Sequence, residues 1–173
     1  QGPNNAGSLD EVNSGPSNSG GFTTSGLDFT LAWSTSLNGV GINDGKAMFK
    51  ASYTRLLKGY LIPLPGSDKD EFAGEFGASK NRWTATTGFE IGSFGLNFTG
   101  TFIGKASIDD QLVGAKPGTN PDYTTGEQFY LDAQARIKVA GEAEFFFGAD
   151  NLLDNKPPFI VQELQDDSAG IDT

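Results

Sequence analysis

The sequence predicts an all-β protein whose antiparallel strands run up and down in chain order, as the strands of a transmembrane β-barrel do. Three observations carry this expectation. Apolar residues recur at every second position in six separate runs. The runs are about 10 residues long, long for a soluble protein and close to the length that crosses a bilayer at a tilt. The connections between them alternate short, long, short, long.

The first 24 residues are rich in Gly, Asn, Ser and Pro, so residues 1–24 read as a loop or a disordered lead-in. The first run sets Leu27, Phe29, Leu31, Trp33, Thr35 and Leu37 against Asp28, Thr30, Ala32, Ser34 and Ser36. After the short link "NGVGINDG", a second run sets Ala47, Phe49, Ala51 and Tyr53 against Lys46, Lys50, Ser52 and Thr54. Residues 61–80 read as a long polar loop. A third run sets Trp83, Ala85, Thr87, Phe89 and Ile91 against Arg82, Thr84, Thr86 and Glu90.

The link "GSFG" is short enough for a hairpin. A fourth run then sets Leu96, Phe98, Gly100 and Phe102 against Asn97, Thr99, Thr101 and Lys105, and residues 106–126 form the next long loop. The fifth run sets Phe129, Leu131, Ala133, Ala135, Ile137 and Val139 against Tyr130, Asp132, Gln134, Arg136 and Lys138. A turn at Gly141 leads to the sixth, with Ala143, Phe145, Phe147 and Ala149 opposite Glu142, Glu144 and Asp150. Tyr60, Trp83, Phe102, Phe129 and Tyr130 lie beside the long loops, where an aromatic girdle at a membrane interface belongs. A soluble β-sandwich is the alternative, with the polar face in water and the apolar face on a second sheet.

Composition narrows the function. The chain of 173 residues has no Cys, which removes disulfides and thiolate metal sites, and no His, which removes the usual general base and the commonest transition-metal ligand. A net charge of −10 argues against nucleic acid as a partner. No apolar run reaches the roughly 18 residues of a membrane helix. Acidic stretches such as "SDKDEF" and "DDSAGID" lack the spacing of a calcium loop. "GVGINDG" lacks the spacing of a phosphate loop. The expected activity is therefore not enzymatic. No catalytic, cofactor-binding or metal-ligating residue stands out, no cofactor is expected, and no ligand-contacting residue is singled out.

The segment "YLDAQARIKVAGEAEFFFGADNLLDNKPP" carries a resemblance. Asn151, Leu152, Leu153, Asp154, Lys156, Pro157 and Pro158 resemble the strand-ending motif near the C-terminus of TonB-dependent outer-membrane receptors, and "GLDF" at Gly26–Phe29 is similar to many strand starts there. The likeness covers residues 25–160, with 161–173 as a truncated last extracellular loop. It implies about six consecutive strands near the C-terminus of a bacterial outer-membrane barrel. It also implies active uptake of a scarce solute such as a ferric siderophore, haem, cobalamin or a carbohydrate. The implied partners are outer-membrane lipid, an unidentified small molecule, and TonB through a plug domain that has no counterpart in these residues. The closing strand has no counterpart either.

Overall fold

The computed structural model describes residues 20–114, 123–139 and 143–158. Its strands are β1 (Gly21–Ser36), β2 (Gly45–Ile62), β3 (Asn81–Ile91), β4 (Phe94–Ile103), β5 (Ala106–Ser107), β6 (Thr124–Thr125), β7 (Gln128–Val139) and β8 (Ala143–Ala149), with a short helix α1 (Asp110–Val113). One antiparallel sheet has the order β1-β2-β3-β4-β7-β8, and β5 pairs with β6 in a separate two-stranded ribbon. The main sheet is open, with β1 and β8 as its edges.

Register explains why the alternation in the sequence matters. Directly opposed residues of antiparallel strands share a face. One row runs Phe29, Tyr53, Trp83, Phe102, Phe129 across five strands. Another runs Trp33, Phe49, Thr87, Phe98, Ala133, Ala149. Leu31, Phe89, Leu131, Ile137 and Phe145 fall on this same face, as expected from the sequence. The opposite face holds Asp28, Arg82, Glu90, Asp132, Arg136 and Glu144. Phe146 interrupts it, standing opposite Arg136.

Within the aromatic row the rings meet. Trp83 stacks on Phe102 at 5.6 Å between centroids, and Phe29 stacks on Tyr53 at 6.3 Å. Gly100 makes the close approach possible, since a Cβ there would lie 3.0 Å from Phe129 Cε2. Among the described residues no large side chain is fully buried. Phe29 is 59% exposed, Trp33 56% and Phe147 61%. Each such side chain forgoes only part of the roughly 1.5–3 kcal/mol that full burial brings, but the exposed patch is large enough that a cover over it would be favourable.

The connections sort by length to opposite ends. At one end β1 and β2 are joined by residues 37–44, held by Leu37 N–H donating to Gly45 O at 2.8 Å, and β3 and β4 by Gly92 and Ser93 alone. At the other end lie residues 63–80, 104–114, 123–127 and 150–158. The two long loops are tied together there. Phe76 N–H donates to Ser107 O at 2.9 Å, and Ser107 N–H to Gly74 O at 2.9 Å.

The structure also departs from the sequence expectations. β1 begins at Gly21, so the last residues of the proposed lead-in are strand, paired with the upper part of β2. β2 likewise runs on to Ile62. A register shift opposite Ser25 and Gly26 leaves Leu57 without an opposed partner. This β-bulge breaks the period-two pattern at "RLLKG" and hid the extension. Tyr130 does not join the aromatic row, because it pairs with Thr101 on the polar face, while Phe29 and Tyr53 do. Glu142 and the turn at Gly141 lie outside the described residues, as do residues 1–19 and 159–173.

Candidate functional site

The polar face and the long-loop end hold the groups able to do chemistry. On the polar face Arg136 Nη2 lies 2.7 Å from Glu90 Oε1, and its Nε lies 3.3 Å from Glu144 Oε1. Glu90 belongs to β3 and Arg136 to β7, so the guanidinium reaches across β4 to make the contact. It crosses at Gly95, its opposed residue, where a Cβ would lie 3.3 Å from Nε. The same face places Asp28 to accept from Thr54 Oγ1 at 2.6 Å, and Thr86 and Thr99 share a hydrogen bond at 3.1 Å. Charged and hydroxyl side chains thus pair with one another along this face.

The Asn-Leu-Leu-Asp-Asn segment ends β8 by a clamp. Asn151 (φ 51°) and Asp154 (φ 49°) adopt the left-handed conformation that Asn and Asp tolerate. Asn151 N–H donates to Asp132 Oδ1 at 2.8 Å, and Leu152 N–H to Leu131 O at 2.7 Å. Asn155 N–H donates to Asn151 Oδ1 at 3.1 Å, while Asn151 Nδ2 donates to Asn155 O at 3.1 Å. Asn155 Nδ2 donates to Phe129 O at 2.7 Å. Side-chain amides thus take over from the ladder where the strand stops. The motif singled out in the sequence is here a strand terminator bonded back to β7.

At the long-loop end the fold gathers four carboxylates that the sequence leaves apart. Donor oxygens of Asp70, Glu75, Asp109 and Asp110 all lie within 4.8 Å of one another. Glu75 is 8% exposed and accepts from Asp110 N–H at 3.2 Å. Burial, with the nearby charges of Asp109, Asp110 and Asp70, pushes the Glu75 carboxyl up to about 7. Burial and the charges of Asp109 and Asp110 also raise Asp70, whose Oδ1 is buried without a hydrogen-bond partner. Oxygen donors of this type suit a hard divalent cation or a retained proton. Sequence spacing gave no signal for this cluster, because the pairing of two separate loops assembles it.

No protein-family model, curated protein or solved structure matches the chain.

Proposed function

We propose that these strands are part of the wall of a TonB-dependent outer-membrane receptor, which takes up a scarce solute with energy delivered through a plug and TonB. The observation that carries the reading is the sorting of side chains. One face of the sheet is mostly apolar across all six strands and the other is mostly polar and charged, Phe146 excepted, with short connections at one end and long ones at the other. From Leu27 to Thr35 the first strand covers about 26 Å, or about 20 Å of height at a tilt of roughly 40°, close to the apolar band of such barrels. The strand ending at Asn151, whose N–H is held by Asp132, supports the reading, since Asn151 is one of the residues that resemble the family motif.

On this reading the apolar face meets outer-membrane lipid, the polar face lines the lumen, and the long loops face outside. The protein is not an enzyme, and its solute is one of the family's classes. The competing reading is a surface β-sandwich that binds glycan or protein. It needs a second sheet over the apolar face, and among the described residues the second sheet is only the two-residue β5–β6 pair. Gel mobility of the purified chain in detergent, with and without heating, tests the choice. Insolubility without detergent, with no compact heat-modifiable monomer in detergent, supports the receptor wall. A monomer soluble without detergent sinks it.

A further inference from the structure

Beyond the aromatic row, the apolar face ends in cations. Arg55 shares the row of Leu27 and donates from Nη1 to Asn81 Oδ1 at 3.0 Å, where Tyr53 Oη also donates at 2.8 Å. Past the bulge, Lys58 stands opposite Ser25 and Tyr60 opposite Thr23, which puts both on the face of Phe29. Lys69 Nζ lies over the Tyr60 ring, 4.6 Å from its centroid. A cavity of about 410 Å³ opens here, lined by Thr23, Lys58, Tyr60, Lys69, Glu71 and Lys80 among others. Three lysines thus meet one glutamate, in a chain whose net charge is −10. Among the described residues none of the three forms an ion pair.

We propose that this cavity binds the phosphate of an anionic membrane-lipid headgroup. The inference rests on the reading that the apolar face meets lipid, and it adds a specific lipid contact to it. Depth favours it. Ser25 lies four residues beyond Phe29, about 13 Å along the strand and about 10 Å in height at a tilt near 40°. The headgroup layer extends about 5–8 Å past the hydrocarbon, so flexible lysine stems reach it from Lys58 and Lys69. Charge favours it as well, because ammonium groups beside an anionic surface attract its phosphates. Free phosphate offers the same chemistry. It lacks acyl chains to lie along the apolar strands directly below the cavity, and that continuity assigns the site to lipid.

The test uses the whole chain and its own probes, since Trp33 and Trp83 both stand on the apolar face. Their fluorescence is followed on titration with phosphatidylcholine vesicles, and with vesicles that also contain phosphatidylglycerol. The chain should partition into both, about tenfold better into the anionic ones. The K58Q/K69Q/K80Q variant should lose this preference and keep its binding to phosphatidylcholine. The K46Q/K50Q variant, altered on the opposite face, should keep both. Failure to bind phosphatidylcholine overturns the receptor-wall reading itself. Binding without anionic preference, or equal loss in K46Q/K50Q, overturns the headgroup site alone. Binding of inorganic phosphate by the detergent-solubilised chain, lost in K58Q/K69Q/K80Q, together with no anionic preference in vesicles, assigns the cavity to free phosphate and overturns the lipid source.

Discussion

The side-chain amide of Asn155 donates to the backbone carbonyl of Phe129 at 2.7 Å, fastening the chain after β8 to the start of β7. Without that donor the carbonyl loses its partner and the clamp loses one of its ties to β7. Asn155→Ala should lower stability by about 1–2 kcal/mol. Asn155→Asp should cost more, since a carboxylate would face the carbonyl. Denaturant midpoints of the refolded chain report both. Equal stability of all three proteins would mean the clamp contributes nothing.

Leu131 and Gln134 test which face meets hydrocarbon. Leu131 is opposed to Gly100 on the apolar face, and Gln134 to Asn97 on the polar one. In lipid vesicles Leu131→Arg should destabilise by about 2–4 kcal/mol and Gln134→Arg by little. Equal costs would contradict a lipid-facing sheet.

Glu75 makes the long-loop end sensitive to pH. Its carboxyl is raised from 4.5 to about 7, so the folded state holds a proton that the unfolded state releases at lower pH. The associated stability is fully present below about 4.5 and is lost as pH rises through about 7, a change of at most about 3 kcal/mol. The Phe76 and Ser107 amides, which join the two loops, should show protection that falls across this window. Glu75→Gln should make their protection nearly constant with pH. A protection that rises with pH would exclude this role for Glu75.

Arg136 and Gly95 form a coupled pair. Both ion pairs of Arg136 are partly exposed, so Arg136→Leu should cost no more than about 1 kcal/mol. Gly95→Ala narrows the crossing, and the guanidinium has to give by a few tenths of an ångström. In a double-mutant cycle the two changes should be non-additive, because each disturbs the contact with Glu90. Full additivity would show that Gly95 has no part in it.

Much of the six-stranded sheet was legible in the sequence because residues on β3, β4 and β7 alternate sides, and one side is mostly apolar. The strand end at Asn151 was legible because Asn, Asp and Pro cannot continue a ladder. Its anchoring to Phe129 and Asp132 was not, since that depends on how β7 and β8 register. The carboxylate cluster was invisible for the same kind of reason: Asp70 and Asp109 become neighbours only when Phe76 and Ser107 join their loops. Tyr130 was misassigned because closeness to a loop does not fix which way a strand residue faces.

The unopposed Leu57 divides β2 into two lengths that keep separate count. Below it odd-numbered residues share the face of Phe29; above it even-numbered ones do, so Lys58 and Tyr60 stand over Tyr53. The extra residue acts as a vernier between the two lengths of the strand. Insertion or deletion of a single residue at this point would rotate the segment beyond it by one step and leave every pairing of the sheet below untouched. The long-loop end of this strand can therefore change which side chains it shows to the surroundings without rebuilding the pairing of the sheet below it.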